Sequence, residues 1–259
     1  MIRQAKITVI ETEKIYQNTY VTWYSSSELT NNALPGQFIM LQPTETLDPY
    51  LPRAFSFYRF RERLGERQFA LLYNVIGEAT KLMAKQEPGE ISLAVGPLGK
   101  GFEVRSTAKN LLLIGGGVGI APLIALADQE IKRDCSITLG FGARETKNVY
   151  PARLLSPEIE YIAATEDGSL GRKGLVTEIY ADYLDWADQT FACGPVPMFR
   201  SMAAIAKKDG FRRPTQILME TEMACGYGLC YGCAVFTKNG VRLCCKDGPC
   251  FELLDVFDR

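Results

Sequence analysis

The sequence of 259 residues contains no histidine. Histidine is the commonest general base and a frequent metal ligand, so a Ser-His-Asp hydrolase is excluded and any metal site must use cysteine or carboxylate. The chain also lacks an excess of either charge, because 29 Lys and Arg face 30 Asp and Glu, for a formal net charge of −1. This balance provides no basic surface of the kind that binds nucleic acid or an anionic membrane.

A long uninterrupted apolar segment is missing as well. The longest apolar stretch, Leu111–Ala127, contains four glycines and Pro122 and is too broken for a membrane span. The N-terminal residues lack the apolar core of a signal peptide. We therefore expect a cytoplasmic protein, in which thiols stay reduced. Eight cysteines in such a chain indicate metal binding more than disulfides, and six of them lie between Cys225 and Cys250.

The order of predicted elements divides the chain into three parts. Residues 1–102 contain short alternating or β-branched runs separated by turn residues, which predicts an antiparallel β-barrel. In residues 103–214 apolar strands alternate with helices, which predicts a parallel α/β domain. Residues 215–259 are rich in cysteine and glycine and predict a small metal-binding domain.

The cysteines of the last part have a specific spacing. Cys225-x4-Cys230-x2-Cys233, followed by a more distant cysteine, is the spacing of plant-type [2Fe–2S] proteins, in which four thiolates hold the cluster. The glycines between them allow the loop to fold around a cluster without Cβ clashes. Two nearby cysteines compete with Cys245 for the fourth place, since Cys244 is adjacent to it and Cys250 lies just beyond. Spacing alone cannot choose between Cys244 and Cys245. A zinc site of four cysteines is the alternative, but such sites usually present two C-x2-4-C pairs.

Two further motifs end predicted strands of the α/β part. Leu111–Ile114 leads into the glycine turn Gly115–Gly119, where backbone N–H groups can approach a pyrophosphate at a helix start. The turn departs from G-x-G-x-x-G at Ile120, and a turn needed only for packing is the alternative. Cys193-Gly194-Pro195 lies where parallel sheets bind ligands, although the pattern alone favours a small buried residue at Cys193. No acidic residue clearly marks the end of the second strand.

Together these features resemble the ferredoxin reductase superfamily, and within it the family of dihydroorotate dehydrogenase B electron-transfer subunits. The resemblance spans essentially the whole chain in the right order. Its motifs are Arg53-Ala54-Phe55-Ser56, Leu72-Tyr73-Asn74, Gly77-Glu78-Ala79-Thr80, Gly96–Phe102, Gly115–Leu123, Thr165–Ser169, Cys193-Gly194-Pro195, Met223–Gly226 and Cys245–Pro249. Asn74 stands where the family usually has a basic residue, and Ala79 where it usually has glycine.

The resemblance implies a subunit of an NAD-dependent oxidoreductase that carries FAD and a [2Fe–2S] cluster and takes NAD(H) as substrate. Its implied partner is an FMN-containing dihydroorotate dehydrogenase catalytic subunit, with two copies of each subunit in a heterotetramer of pyrimidine biosynthesis. In the family the fourth cluster ligand directly precedes x-D-G-P, which selects Cys245 over Cys244. The implied cluster ligands are therefore Cys225, Cys230, Cys233 and Cys245.

The other implied site residues come from the same motifs, and no catalytic side chain is implied. Ser56 is expected to hydrogen-bond the flavin, and Arg53 and Thr80 to hold its phosphates. The implied flavin contacts are Arg53, Ala54, Phe55, Ser56, Leu72, Tyr73, Asn74, Gly77, Ala79 and Thr80. The implied nucleotide contacts are Gly115, Gly116, Gly117, Gly119, Cys193, Gly194 and Pro195.

Two other functions share part of this pattern. One is the small subunit of a related ferredoxin:NAD(P) oxidoreductase or sulfide dehydrogenase. For it, Arg144 is a candidate contact to a 2′-phosphate, or else a solvated surface charge. The other is a non-enzymatic zinc-binding scaffold, which would lack a flavin. In the main interpretation, the apolar residues Tyr227, Leu229 and Tyr231 are expected to contact the partner.

Overall fold

The computed structural model describes residues 3–46, 48–63, 65–208, 210 and 213–258. Two seven-stranded sheets account for most of the regular structure. No helix within these ranges is both long enough and apolar enough to cross a membrane.

The first sheet is antiparallel and lies within residues 3–98. Its strands are β1 Arg3–Tyr16, β2 Thr19–Ser25, β3 Phe38–Gln42, β4 Arg53–Ser56, β5 Arg59–Arg63, β6 Glu66–Asn74 and β7 Ile91–Leu98. Two short helices, α1 Ser27–Thr30 and α2 Glu78–Met83, lie beside it. Every second residue of β7 is buried, as expected for a strand with one face on a core. That core includes Tyr24, Phe57 and Phe69.

The antiparallel sheet is strongly curled, but no strand pairing among the described residues closes it into a barrel. Its strand order is β4-β3-β7-β1-β2-β6-β5, so β4 and β5 lie at opposite edges although only Phe57 and Tyr58 separate them in the chain. The Phe57 N–H donates to Gln37 beside β3, and the Tyr58 N–H donates to Ala70 in β6. Two residues can join the edges only if the sheet curls until they meet. Among the described residues no strand pairing joins β4 to β5, so the predicted barrel is an open one.

The second sheet and its helices follow in the α/β order that the sequence predicts. The remaining strands are β8 Asn110–Gly116, β9 Ser136–Ala143, β10 Ile159–Thr165, β11 Arg172–Lys173, β12 Gln189–Cys193, β13 Thr215–Leu218, β14 Ala234–Thr237, β15 Gly240–Leu243 and β16 Cys250–Glu252. The remaining helices are α3 Ile120–Glu130, α4 Val176–Tyr183, α5 Val196–Lys208, α6 Cys244–Asp247 and α7 Leu253–Phe257. The strand order is β11-β10-β9-β8-β12-β13-β16, parallel except for β13 with β16.

The C-terminal segment is tied to this second sheet. Strands β14 and β15 form a separate hairpin, whereas β16 pairs with β13 as the sheet's edge strand. Helix α7 packs on α5, where the rings of Phe199 and Phe257 lie 5.8 Å apart. The predicted fold class is confirmed: an antiparallel β part, a parallel α/β part and a small cysteine-rich part. The domain boundaries at 102/103 and 214/215 stay predictions.

Candidate functional site

A cavity of about 320 Å³ separates the antiparallel sheet from the glycine turn. On one side it is lined by Ala54, Phe55, Ser56, Leu72, Tyr73, Asn74 and Thr80. On the other side it is lined by Val118, Ala121, Pro122, Leu218, Met219, Glu220, Thr221, Met223 and Pro249. Motifs that are far apart in the sequence therefore converge on one cavity, which we call the flavin cavity.

The flavin cavity has an aromatic wall and a buried hydroxyl group to which a bound ring could hydrogen-bond. Phe55 and Tyr73 meet edge to face, with ring centroids 5.9 Å apart. Thr221 Oγ1 is buried beside the Cys244 thiol, and within the described residues no hydrogen bond of good geometry satisfies it. A buried polar atom without a partner costs about 1–3 kcal/mol. A ring with apolar faces and a polar edge fits this wall.

The residues expected near the flavin phosphates occupy different places. Thr80 Oγ1 accepts the Gly77 N–H at 3.1 Å and so fixes the turn before α2. Ala79 is buried behind that turn, while nothing would lie within 4 Å of a Cβ on Gly77. Arg53 is exposed, and its Nη1 donates to the Leu51 carbonyl at 2.5 Å. The structure therefore brings Thr80 to the flavin cavity but leaves Arg53 off its wall, and a phosphate contact from Arg53 stays a prediction.

A second cavity, of about 910 Å³, lies beyond the carboxyl ends of β8, β9 and β12, and we call it the nucleotide cavity. Gly116, Gly117 and Pro195 line it, and Asn74 lines both cavities. Sequence reasoning missed Glu145, which follows β9 on this wall and pairs with Lys147 at 2.6 Å. An acidic side chain at the end of the second strand suits a ribose hydroxyl.

Other glycines near the nucleotide cavity do not line it, and some of them let neighbouring segments pack closely. A Cβ on Gly119 would lie 2.6 Å from the Cys193 carbonyl oxygen, and one on Gly194 would lie 2.7 Å from Met198 Cε. Gly115 packs beside Leu123, so an added Cβ there would meet ordinary contacts at 3.4 Å. The glycine turn and the Cys193 strand end thus share one packing interface.

This packing leads to a prediction for two glycines of the same turn. Gly117→Ala places its Cβ in open space but at a φ of +59°, which costs about 1–2 kcal/mol. Gly119→Ala has an ordinary φ but collides with backbone, so we expect the upper end of overpacking losses, about 3 kcal/mol. Urea unfolding of both variants measures the two losses. A larger loss for Gly117→Ala would contradict the close packing of Gly119 against Cys193.

Glu220 is a site residue that sequence reasoning missed. It follows β13, at the carboxyl edge of the sheet, and it is the one charged side chain among the described residues that line the flavin cavity. The side chain is exposed to solvent in the open cavity, although many protein atoms surround its carboxyl. This enclosure raises the pKa of the carboxyl, and a hydrogen bond from the Cys193 thiol lowers it again in part. The thiol lies 3.7 Å from Glu220 Oε1 and is itself fully buried.

The first three predicted cluster ligands lie in the loop before β14. Gly226 and Gly228 adopt φ of +79° and +85° there, which favours glycine. Leu229 N–H donates to Cys225 Sγ at 3.3 Å. Burial opposes ionisation of Cys225, but the hydrogen bonds to its sulphur from the loop prevail and lower its pKa to about 6. The thiolate is the form that binds iron, so these hydrogen bonds favour the state of Cys225 that a cluster ligand needs.

The four predicted ligands meet in two pairs. Cys230 contacts the Cys225 sulphur, and Cys245 N–H donates to Cys233 Sγ at 3.4 Å. Burial, and then the hydrogen bond and charge of Cys233, raise the pKa of Cys245 to about 12. Within the described part of the chain, no three such side chains converge as a single metal ion requires. Two pairs of thiols fit a cluster whose four thiolates are shared between two iron atoms.

The two competing cysteines point elsewhere. Cys244 is fully buried, and its thiol donates to the Met219 carbonyl at 3.1 Å. Cys250 Sγ lies 4.0 Å from the Gly36 carbonyl oxygen, against the antiparallel sheet. Neither sulphur joins the two pairs, which supports Cys245 as the fourth ligand.

The Asp-Gly-Pro segment after Cys245 links the cluster site to the flavin cavity. Asp247 Oδ2 accepts the Leu243 N–H at 2.8 Å across the short helix α6, which fixes the position of Cys245. Pro249 then lines the flavin cavity. Three residues of chain therefore separate the proposed cluster ligand Cys245 from Pro249 on the cavity wall, and the two sites are neighbours.

Two family models match the chain. Residues 220–257 match the iron-sulfur cluster binding domain of dihydroorotate dehydrogenase B, and residues 113–204 match the oxidoreductase NAD-binding domain. Both matches fall on segments whose cysteines or glycines build the sites described above.

Curated relatives and solved structures cover nearly the whole chain. The dihydroorotate dehydrogenase B (NAD(+)) electron transfer subunit of Desulforamulus reducens is 31% identical over 255 residues, 96% of each chain. That of Caldanaerobacter subterraneus subsp. tengcongensis is 38% identical over 226 residues, 86% of each chain. A solved NADH-dependent reduced ferredoxin-NADP oxidoreductase has a TM-score of 0.84 at 26% identity, covering 97% of this chain and 90% of its own.

Proposed function

The chain belongs to the family of dihydroorotate dehydrogenase B electron transfer subunits, and we propose that it passes electrons between an FMN-containing catalytic partner and NAD. In this proposal dihydroorotate is oxidised on the partner, the [2Fe–2S] cluster and FAD carry the electrons, and NAD+ is reduced, as a step of pyrimidine biosynthesis in the cytoplasm. The observation that carries it is the cluster site of paired cysteines, joined through Asp247 and Pro249 to a cavity that fits a flavin.

The bound FAD would supply the chemistry of accepting two electrons and releasing them one at a time. The chain holds and orients it: Phe55 and Tyr73 form the aromatic wall, and the Thr221 hydroxyl offers a hydrogen bond. The backbone of Gly116 and Gly117 suits the nucleotide pyrophosphate at the start of α3. Cys225, Cys230, Cys233 and Cys245 would hold the cluster beside the flavin cavity.

A surface around the cluster loop suits the catalytic partner. Tyr227, Leu229 and Tyr231 are 42%, 75% and 67% exposed, which is unusual for large apolar side chains within one short loop. A partner that covers this loop would exclude water from the cluster and shorten the distance that an electron crosses. We propose two copies of each subunit in the assembly.

One observation favours a second candidate, the small subunit of a ferredoxin:NAD(P) oxidoreductase. It is the likeness in fold, over nearly all of both chains, to the solved reduced ferredoxin-NADP oxidoreductase. Arg144 and Lys147 on the nucleotide cavity wall are cations that a 2′-phosphate could contact. Dependence of NADH formation on dihydroorotate separates the two functions, because only the first requires it.

Anaerobic purification tests the proposed cofactors. The proposal predicts a coloured protein with bound FAD, about two iron atoms per chain, and a rhombic electron paramagnetic resonance signal after reduction. A colourless protein that holds zinc and no flavin would contradict the proposal and favour a non-enzymatic scaffold.

A further inference from the structure

The antiparallel sheet and the α/β sheet share one continuous buried core. Val21, Tyr58 and Leu72 of the first sheet pack with Leu123 and Ile124 of α3 in the same cluster. The hydrophobic effect that favours this packing is not directional. Directional polar contacts across the interface add a restraint on how the flavin cavity faces the nucleotide cavity.

One such contact joins two buried tyrosines across the interface. Tyr58 Oη and Tyr150 Oη lie 2.5 Å apart, and both side chains are almost fully buried. Tyr150 is held further by the ring of Tyr16, which it meets edge to face at 6.2 Å. Tyr161 Oη also donates to the Tyr150 carbonyl at 2.9 Å, a contact within the α/β part. The hydroxyl pair is thus a buried, well-oriented link between the two parts.

The next residue, Arg59, makes two more contacts across the same interface. Its Nη2 donates to the Leu154 carbonyl at 2.6 Å, and its Nε forms an ion pair with Asp128 Oδ2 at 3.1 Å that lacks the alignment of a hydrogen bond. Asp128 is on α3 and is partly buried. A guanidinium presents several donors in a fixed plane, so it can restrain two partners at once in a way that an ammonium cannot.

Three of these four residues lie near cavity-lining residues in the sequence. Tyr58 is two residues after Ser56 of the flavin cavity, and Tyr150 is two residues after Asn148 of the nucleotide cavity. Asp128 is six residues after Pro122, which lines the flavin cavity, or about 9 Å along the axis of α3. A shift at these contacts therefore reaches both cavity walls through short stretches of chain.

We propose that Tyr58 and Arg59, with Tyr150 and Asp128, form an interdomain clamp that sets the distance between the flavin and the nicotinamide for hydride transfer. This inference rests on the proposed function. Hydride transfer needs reacting atoms about 3–3.5 Å apart, and a misplacement of 1 Å can cost about 100-fold in rate. The clamp residues touch neither cofactor in this assignment, so they are positioning residues.

The test compares variants in the purified holoprotein. Tyr58→Phe/Tyr150→Phe removes both hydroxyls and leaves neither unsatisfied, so thermal stability should change little. Arg59→Gln removes the two-partner restraint. Stopped-flow reduction by NADH gives the hydride-transfer rate and the NADH dissociation constant separately. We expect both variants to keep their flavin, to bind NADH within about 2-fold of wild type, and to transfer hydride about 10-fold more slowly.

Tyr180→Phe is the matched control, because it removes a buried hydroxyl whose hydrogen bond with Thr215, at 3.3 Å, stays within the α/β part and involves no clamp residue. It should transfer hydride at the wild-type rate. Clamp variants that transfer hydride like this control, whatever their melting temperature, would overturn the inference. If the wild-type protein itself does not oxidise NADH, the proposed function fails, and the inference that rests on it fails with it. Normal hydride transfer in the wild type with unchanged transfer in the clamp variants overturns the clamp alone.

Discussion

Cys245→Ser should lose its [2Fe–2S] cluster, whereas Cys244→Ser should keep it. Cys245 contacts Cys233 and completes the second of two thiol pairs, and serine offers iron a much poorer ligand. Cys244 instead donates to the Met219 carbonyl in the core. We expect iron to fall from about two atoms per chain to near zero in Cys245→Ser, with loss of the reduced-cluster resonance signal. Cys244→Ser should retain at least most of its iron.

The adjacent cysteines are a matched pair, since both lie in α6 and both are almost fully buried. A general loss of folding would reduce flavin content as well as iron, so flavin is measured in the same samples. Cluster loss in Cys244→Ser with retention in Cys245→Ser would reverse the ligand assignment.

Glu220→Gln should slow the reduction of the flavin by NADH about 100-fold, the size of effect seen when one preorganised electrostatic group is removed. A nicotinamide that gives up a hydride gains positive charge. Glu220 provides the one negative side chain among the described residues of the flavin cavity wall. The variant keeps the size and shape of the side chain, so flavin content should not change. Stopped-flow absorbance measures the rate.

The pH dependence of this rate provides an independent check. Enclosure raises the pKa of Glu220 above its ordinary value of 4.5. In the wild type, lowering the pH through the raised value neutralises the carboxylate and should slow hydride transfer, whereas Glu220→Gln should show no such fall. Glu222→Gln, a neighbour in the same segment that does not line the flavin cavity, should match the wild type at every pH. A flat wild-type profile, or an equal effect at Glu222, would contradict the role of Glu220.

The features predicted correctly from the sequence are those that depend on residues close together in the chain. The Cys225-x4-Cys230-x2-Cys233 run and the unbroken apolar strand before Gly115 each require one local conformation, and the structure has both. The alternation of β-strands and α-helices likewise predicted the α/β sheet. Choosing Cys245 over Cys244 needed the family resemblance, because the direction in which two adjacent thiols point depends on the packing of α6 against Met219.

The features that the sequence did not reveal depend on long-range contacts. Glu220 belongs to no motif, and only the pairing of β13 with β12 and β16 brings its carboxyl to the flavin cavity. The openness of the antiparallel sheet depends on how two residues, Phe57 and Tyr58, cross between its edges. Arg53 matches a motif, yet its side chain folds back onto the Leu51 carbonyl. The signal that could have found Glu220 is its place at the carboxyl end of a parallel strand.

The most direct test of the proposed function is to mix the purified chain with an FMN-containing dihydroorotate dehydrogenase catalytic subunit and to follow NADH formation. The two subunits together should reduce NAD+ when dihydroorotate is added, and neither should do so alone. The Cys245→Ser chain should fail in the same mixture while still oxidising NADH with an artificial acceptor. NADH formation that does not need dihydroorotate, or that survives loss of the cluster, would contradict the electron path from the partner through the cluster and the flavin to NAD.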